Sequence, residues 1–412
     1  MYKIPHPDRA AVRARVGVFG LFWLLGITIG MWSAGLPSLN DRLGLGAARL
    51  GTVLLLVAAG GLVAMLLAGP LVDRFTSRKV CWFAAPASAV LLLGPAVAPG
   101  FWWLAVLAVV FGLGIGVVEV AMNAHSVEVE LRYGRPIISA FHGVWSLGGA
   151  VGGALTAAGL KAGTGGQSLL VAAAIVVPFA YAPFMRLLGP AAAAPVASSG
   201  RTALSGTIRW GLIALLGVAA FAAHLAEGAA MDWAALHARW VLGADPALAP
   251  LAYTIFSVAM TAVRLLGDPL RARLGAVRTI RLAGIIATCG YVLVLGAGAV
   301  PESLSVVCAW TGWGLAGVGL ATVIPVIFSA VGASGGAVGR ALAMVTAFGY
   351  TGLLAGPAVL GFVAQSSSLP IALVIPTAFA AVVALTGAPA IRALIPAPAP
   401  VDEAAAPAAR AH

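Results

Sequence analysis

Two glutamates lie inside apolar stretches of this sequence, and their chemistry is the first feature to explain. Glu119 follows an apolar run that reaches back to Phe101, and Glu227 lies inside a second apolar run. A carboxylate in contact with hydrocarbon costs several kcal/mol, so each side chain must face protein or a water-filled space. A carboxylate in such a space can bind a proton or a polar solute. We therefore predict that Glu119 and Glu227 handle protons or solute.

The helix that carries Glu119 is predicted to present a polar face. At 100° per residue, four polar residues fall within about 60° of one another: Glu119, Asn123, Ser126 and Glu130. Asn123 is therefore a further candidate for solute or proton binding. The alternative is that the membrane ends here and the polar residues form a wetted helix end, which applies more to Glu128 and Glu130 than to Glu119.

Two histidines accompany these acids. His142 lies near the start of the next predicted helix and could form a proton-carrying pair with Glu119, because histidine titrates near neutral pH. A structural hydrogen bond that closes the inner vestibule is the equal alternative. His224 lies three residues before Glu227, so the two side chains face one way on a helix. Gly228 marks a place where this helix could unwind.

Aromatic residues in the apolar stretches could line a cavity between helices. The candidates for contact with a solute are Trp32, Trp145, Trp313 and Tyr350. Such aromatics more often face lipid or neighbouring helices, and this is the alternative for each of them. Trp145 also precedes a glycine-rich stretch, residues 148–153, that predicts close packing between helices.

The amino-acid composition indicates that these segments lie in a membrane. Hydrophobic residues make up 61% of the 412 residues, charged residues only 9%, and the mean hydropathy is +1.03. A soluble protein carries about 25% charged residues. The three cysteines lie in apolar segments without ligand spacing, so no disulfide framework, metal site or cofactor is expected. A phosphate-binding loop of the GxxxxGK[ST] type is also absent from the sequence, so ATP hydrolysis is not expected.

Apolar periods and breakers predict an all-α integral membrane protein with twelve transmembrane helices. The spans are 16–37, 49–71, 79–98, 101–124, 137–160, 167–187, 209–230, 249–267, 278–299, 303–328, 340–362 and 369–395. Residues 189–208 are rich in Ala, Pro, Ser and Gly and are typical of a linker, here between two bundles of six helices, 1–188 and 209–395. The remaining tail, 396–412, is low in complexity and is predicted to be disordered.

The positive charges predict the orientation of these spans. With the first residue in the cytoplasm, twenty of the 24 Lys and Arg residues fall on the inner side, counting Arg264 with the flanks of the loop between spans 8 and 9. The outer side carries only Arg42, Arg49, Lys161 and Arg239. This asymmetry places both termini in the cytoplasm. It also explains the net charge of +11 without nucleic acid as a partner.

A charged motif follows span 2, and a weaker copy follows span 8. The first copy runs from Gly69 to Lys79 and contains Asp73, Arg74 and Arg78; the second runs from Gly267 to Arg278 and contains Asp268 and Arg273. Aligning Gly275 with Thr76 places Arg273 on Arg74 but leaves Ala272 where the first copy has its acid. A carboxylate at a helix end beside arginines can form an ionic latch. We therefore predict that these five charged residues gate the inner side; ordinary positive-inside charge is the alternative.

The first copy resembles the GxLxDRxGRR signature of the major facilitator superfamily, with Thr76 where glycine is usual. Within that superfamily the chain is similar to the bacterial branch around the rhizopine-transport membrane protein. The stretches that carry this resemblance are 119–125, 139–149, 227–233, 325–330 and 349–357. The resemblance implies two six-helix bundles related by a pseudo-twofold axis.

We therefore expect a secondary transporter, not an enzyme, that rocks its two halves about a midplane cavity. We expect it to move a small polar solute, coupled to protons, as a monomer in the bacterial inner membrane; a sugar-like solute is implied by the resemblance alone. A proton-driven exporter of amphipathic compounds is the alternative within this class, and a non-transporting membrane sensor is the alternative outside it. A channel would need a repeated selectivity filter, and an enzyme would need a nucleophile–base or metal constellation. The sequence shows neither.

Overall fold

The computed structural model describes residues 9–133, 137–189, 209–266, 268–333 and 338–394, and every regular element in these ranges is a helix. The amino-terminal half contains α1 Arg9–Leu43, α2 Gly46–Phe75, α3 Ser77–Leu91, α4 Leu93–Val97, α5 Phe101–Tyr133, α6 Ile138–Lys161 and α7 Gly166–Met185. The carboxyl-terminal half contains α8 Trp210–Trp240, α9 Pro250–Leu266, α10 Asp268–Gly296, α11 Glu302–Leu320, α12 Val323–Ala333, α13 Val338–Ser366, α14 Leu369–Val382 and α15 Ala388–Leu394. The predicted linker from residue 190 onward and the predicted tail lie outside the described residues.

The helices confirm the predicted all-α membrane class. In the described part of the chain, eleven helical segments are long and apolar enough to cross a membrane, and α9 is a shorter apolar helix. Three predicted spans are each built from two successive helices, namely α3 with α4, α11 with α12, and α14 with α15. A π-helical turn, Val383–Gly387, joins the last pair.

Several helices extend beyond the predicted spans, and α5 shows why. The predicted fourth span ended at residue 124, whereas α5 continues to Tyr133. Backbone hydrogen bonding does not need apolar side chains, so a helix can continue through polar residues where the hydropathy falls. The carboxylate of Glu130 accepts hydrogen bonds from the backbone N–H groups of Ile137 at 2.6 Å and Ile138 at 2.9 Å. Glu130 thus caps the start of α6, which is a structural role.

Close helix packing depends on glycines, as the stretch after Trp145 predicted. Gly148 and Gly152 face α1, where a Cβ atom would meet the backbone of Trp23 and Ile27. Gly149 and Gly153 face α9 in the other half, against the side chains of Tyr253 and Thr254. One helix therefore packs closely against two partners through two separate rows of glycine.

The two halves are joined at one end of the bundle. We call the end that carries the start of α1 and the α2–α3 connection the basic end, and the other the opposite end. At the opposite end Gly51 of α2 packs directly on Gly361 of α13. Asp41 of α1 and Arg239 of α8 form an ion pair there at 3.7 Å. At the basic end Asp73 is exposed. The two halves therefore contact each other directly at the opposite end.

The two charged motifs share an unusual backbone conformation. Thr76 has φ 75° and ψ 147°, and Gly275, the residue aligned with it from sequence, has φ 73° and ψ 161°. Thr76 has the only positive φ among the non-glycine residues that the structure describes. This region is nearly exclusive to glycine because a Cβ atom clashes there. The matched pair supports the pseudo-twofold repeat and shows that the first copy carries strain.

We predict that Thr76→Gly stabilises the protein. The strain of a non-glycine residue in this region is about 1–3 kcal/mol, and the entropic cost of introducing glycine is about 0.5–1 kcal/mol. The apparent melting temperature in detergent should therefore rise by a few degrees. Gly275→Ala is the matched control and should lower it. A Thr76→Gly protein that melts below the parent protein would contradict this interpretation.

Candidate functional site

A buried ion pair with a link to the other half forms the centre of the site. Arg264 of α9 lies 3.2 Å from the Glu227 carboxylate of α8, and these side chains are only 14% and 12% exposed. The same guanidinium donates a hydrogen bond of 2.8 Å to the Ser146 hydroxyl of α6, which belongs to the amino-terminal half. Three helices from two halves thus meet at one arginine.

Helix length places these three side chains at one level. Glu227 lies 13 residues before Trp240, and Ser146 lies 15 residues before Lys161. Arg264 lies 14 residues after Pro250. At 1.5 Å per residue, each is about 20–22 Å from the opposite end of its helix. The matching depths bring the Glu227 carboxylate, the Arg264 guanidinium and the Ser146 hydroxyl together.

Arg264 is the functional residue that sequence reasoning missed. The charge count placed it with the flanks of a cytoplasmic loop, and the structure corrects this: Arg264 lies inside the bundle, paired with an acid. A guanidinium stays charged at all accessible pH values, so it requires an anion when buried. Counting the depth of Glu227 and Arg264 from one membrane face could have suggested the pair.

His142 belongs to the same region. Its side chain is exposed although α6 packs against α1 and α9, and its ring lies 5.2 Å from that of Phe22. His142 lies within electrostatic range of Arg264 and Glu227. The structure therefore corrects the predicted pairing of His142 with Glu119. Trp145, one turn away, is half-buried against the hydrophobic core.

Glu119 faces the other half of the protein at a second point. Its side chain is half-buried on α5 and interacts electrostatically with the hydroxyl of Tyr350 on α13. Within the described residues, Glu119 forms no ion pair. Asn123 donates a hydrogen bond of 2.8 Å to the backbone carbonyl of Glu119, so its amide NH₂ serves its own helix.

His224 lies beside Tyr350, not beside an unwound helix. The two rings lie 6.2 Å apart at 29°, and Gly349 leaves the room for the imidazole. The Nδ1 atom of His224 lies 3.0 Å from the Ala220 carbonyl, which can only accept, so Nδ1 carries the hydrogen. The structure corrects the predicted unwinding at Gly228, because α8 is continuous from Trp210 to Trp240.

Three polar side chains on helices of the two halves are exposed or half-buried, namely those of His142, Tyr350 and Glu119. His142 and Tyr350 keep exposed surface, and Tyr350 is 36% exposed. We infer that these three side chains border a space between the halves, and we call this space the central gap. Its polar groups include a carboxylate, a phenol, imidazoles and one paired guanidinium. Such groups can bind hydroxyl groups or protons.

Two predicted aromatic candidates lie elsewhere. Trp32 is 3% exposed and packs against Phe111 of its own half. Trp313 is fully buried between His237 and Tyr291 of the carboxyl-terminal half. The expectation that these tryptophans line a cavity is therefore wrong. An indole favours any well-packed apolar environment, so its presence in a span does not specify which side it faces.

A second polar cluster ties the start of α3 to α5. The Nδ1 atom of His125 lies 3.0 Å from the Ser77 hydroxyl and 3.4 Å from the Glu128 carboxylate. Both partners share one ring nitrogen, so this cluster lacks the geometry of a catalytic triad, in which the two nitrogens have different partners. His125 and Ser77 are fully buried. The described residues hold no group of three potential metal ligands.

Comparison with known proteins identifies the family to which this architecture belongs. Residues 18–334 match the family model described as the Major Facilitator Superfamily. The chain belongs to this superfamily. The uncharacterised transporter y4wD of Sinorhizobium fredii is 33% identical over 376 residues, which cover 90% of this chain and 96% of that protein. The membrane protein MosC of Rhizobium meliloti is 28% identical over 88% of this chain and 86% of that protein. The predicted superfamily and branch are confirmed.

Solved structures of superfamily transporters share the fold. A D-xylose–proton symporter matches with a TM-score of 0.73 and 14% identity, covering 94% of this chain and 98% of that one. A point mutant of the nucleoside transporter NupG matches with a TM-score of 0.71 and 12% identity, covering 93% of this chain and 100% of that one. This superfamily consists of transporters, so the prediction that the chain is not an enzyme is confirmed.

In the part of the chain that the structure describes, the acid of the superfamily signature forms no ion pair in the present conformation. Asp73 and Arg74 are exposed, and in the part of the chain that the structure describes Asp73 has no ion-pair partner. The Arg74 guanidinium lies over the ring of its neighbour Phe75 at 5.4 Å. Arg78 is half-buried and Arg273 is exposed, whereas the side chain of Asp268 lies outside those described. The gating role of these residues remains a prediction.

We predict that Glu227 and Arg264 stabilise the fold of this transporter as a pair. Removing one partner of a buried ion pair costs about 3–5 kcal/mol because the other charge stays buried. Arg264→Met and Glu227→Gln should each lower the apparent melting temperature by several degrees. The double variant should lose clearly less than the sum of the two, because neither charge is left behind. Additive losses would show that the two side chains do not act as a pair.

Proposed function

We propose that this chain is a proton-coupled secondary transporter of a small polar solute, with Glu119 as the coupling acid. The observation that carries this proposal is the position of Glu119. It reaches the central gap from the amino-terminal half, faces Tyr350 of the carboxyl-terminal half, and has no counter-ion among the described side chains.

Binding a proton is the way to neutralise such an acid that costs the least free energy. An ionised carboxylate at this depth loses hydration without gaining a cation, whereas a protonated one is neutral. The acid can bind a proton while the central gap opens to one side and release it when the gap opens to the other. Alternating access with a protonatable residue at the centre is sufficient for coupling.

The polar lining supports a small polar solute. The Tyr350 hydroxyl, the His142 ring and the Glu227 carboxylate offer hydrogen-bond donors and acceptors on both sides of the gap. A neutral hydroxyl-rich solute can bind these groups without breaking the Arg264 ion pair. The symporters of D-xylose and of fucose that share this fold support a sugar-like solute and a proton as coupling ion.

A proton-driven exporter of amphipathic compounds is the second candidate. It is favoured by Trp145, an aromatic ring that is half-buried and lies one turn from His142 on the same face of α6. A thermal-shift screen of the purified protein against sugars, polyols, amino acids and amphipathic drugs separates the two candidates. Stabilisation by a hydroxyl-rich solute supports the first, and stabilisation by amphipathic compounds alone supports the second.

We further propose that the basic end faces the cytoplasm of a bacterial inner membrane. Without Arg264, which lies inside the bundle, nineteen of the 24 Lys and Arg residues still fall on this side of the predicted topology. Alkaline phosphatase inserted near residue 198 should be inactive, and the same enzyme inserted near Gly163, at the opposite end, should be active. The reverse pattern would overturn the proposed orientation.

We predict that Glu119→Gln abolishes solute uptake driven by a pH gradient while solute exchange continues. Glutamine keeps the size and hydrogen bonding of the acid but cannot release a proton. Uptake and exchange of the solute found in the screen are measured in proteoliposomes. Glu302→Gln, at an exposed acid of the first turn of α11, is the control and should behave like the parent. Gradient-driven uptake that persists in the Glu119 variant would refute Glu119 as the coupling acid.

A further inference from the structure

Arg15, near the start of α1, is a half-buried cation that is held by aromatic rings and not by an acid. Its guanidinium carbon lies 4.9 Å from the ring centre of Tyr133, at the end of α5, and 5.7 Å from that of Phe19. The guanidinium also donates a hydrogen bond to the Tyr133 hydroxyl. Among the side chains that the structure describes, no carboxylate forms an ion pair with Arg15.

The acids closest to Tyr133 along α5 have other partners. The carboxylate of Glu130 caps the start of α6, and that of Glu128 lies 3.4 Å from the imidazole of His125. The Nε atom of Arg15 is buried and has no hydrogen-bond partner in the described part of the chain. A guanidinium stays charged, and partial burial increases its need for an anion. The surroundings of Arg15 therefore leave room for an anionic ligand.

Arg15 and Tyr133 also offer suitable hydrogen-bond donors. The Tyr133 hydroxyl accepts a hydrogen bond from Arg15, so its own hydrogen is left to donate. The guanidinium carries several N–H donors in a planar fork, and Arg15 uses one of its terminal nitrogens for Tyr133. A planar fork beside a hydroxyl donor matches the oxygen atoms of a phosphate group.

Two further arginines increase the positive potential near Arg15. A Cβ atom on Gly189 would lie 3.5 Å from a guanidinium nitrogen of Arg132 and 3.2 Å from Ala14, the neighbour of Arg15. Arg186 is exposed at the end of α7, three residues before Gly189. Cations gathered in this way raise the local concentration of anions.

The depth of Arg15 in the membrane indicates which anions can reach it. Arg15 lies 28 residues before Leu43, where α1 ends, which is about 42 Å at 1.5 Å per residue. A bilayer is about 40–45 Å thick when its headgroups are included. With Leu43 at one surface, Arg15 is level with the headgroups at the other. Phosphate groups are present there both in the lipid and in the adjacent water.

We propose that Arg15 and Tyr133 form a binding site for a phosphate group at the basic end, supplied by an anionic phospholipid headgroup or by phosphate in solution. The guanidinium provides the charge, and both side chains provide donors. Positive-inside topology depends on the number of cations and does not need one held between two rings. This inference goes beyond the proposed function, because it involves neither Glu119 nor the central gap.

Purified protein in a neutral detergent, freed of bound lipid, tests the proposal. The apparent melting temperature is measured against phosphatidylglycerol in one series and against sodium phosphate in another. Phosphatidylcholine, whose phosphate is neutralised by its own ammonium group, is the lipid control. Sodium chloride at the same pH and ionic strength is the salt control, because it screens charges equally. The variants are Arg15→Gln and Arg13→Gln, which removes an exposed arginine at the same end of α1.

The parent protein should be stabilised by a few degrees, and the half-saturating concentration of the stabilising ligand should rise about tenfold in Arg15→Gln. This factor corresponds to the loss of one hydrogen bond from a charged donor. Arg13→Gln should respond like the parent. A response to phosphatidylglycerol assigns the site to a lipid, a response to sodium phosphate assigns it to a soluble phosphate, and either depends on Arg15 in the proposal.

Two results would overturn the proposal. One is a parent protein that responds to neither source of phosphate beyond the controls, and the other is an equal loss of response in Arg15→Gln and Arg13→Gln. Should Arg15→Gln not yield monodisperse protein, Arg15→Lys decides, because lysine keeps the charge but lacks the planar fork. Its half-saturating concentration should exceed that of Arg13→Lys several-fold, and equal values would contradict the site. Uptake by Glu119→Gln concerns the proposed function alone, so failure of either proposal is recognised separately.

Discussion

The ion pair between Arg264 and Glu227 determines how several helices of this transporter can be arranged. A guanidinium inside the bundle cannot discharge, so it must keep an anion beside it wherever the surrounding helices move. That requirement sets α8 and α9 at matching depths, and the hydrogen bond to Ser146 brings α6 to the same level. Glu119 is left as an acid without a cation among the described side chains, so its charge can change where that of Arg264 cannot. In the proposed function, Glu227 therefore has a structural role with its arginine, and Glu119 is the acid that exchanges protons.

Such a pair could not form between helices held apart by large side chains. Lipid provides no hydrophobic force between helices, so their association relies on close van der Waals contact. The two glycine rows of α6 give this contact on both sides, against α1 and against α9. The rows share a helix but serve different purposes, because one builds the amino-terminal half and the other joins it to the carboxyl-terminal half. A helix with two packed faces has little freedom to move independently of either.

Much of this fold could be predicted from the sequence, and the reasons differ from feature to feature. Composition and apolar periods are local properties, so they predicted the spans and the membrane class. The alignment of Thr76 with Gly275 also held, because a repeated loop keeps its backbone conformation even when its residues diverge. The partners of the polar residues were harder to predict. Arg264 was assigned to a loop because it lies close in sequence to the second charged motif. The sequence did not show that Arg264 lies at the same membrane depth as Glu227.

The partner of Glu119 shows the same limitation more sharply. Helical spacing placed its side chain on a polar face but could not show which helix of the other half approaches that face. His142 follows next in the chain and was therefore paired with Glu119, whereas the structure brings Tyr350 from α13. Neighbours across the two halves depend on the assembled bundle, not on sequence spacing. Trp32 and Trp313 were assigned to a cavity for a related reason, because aromatic character does not specify orientation.

The two loop motifs differ from each other in two features. The first keeps its acid but has Thr76 in a conformation suited to glycine, and the second keeps Gly275 but has alanine in place of the acid. The two connections, although matched in backbone conformation, are therefore unequal in backbone strain. The first connection places a strained Thr76 beside an acid, whereas the second has an unstrained glycine and no acid at the aligned position. The two halves are related by symmetry in their fold, but the backbone strain lies in the connection at Thr76 and not in the connection at Gly275.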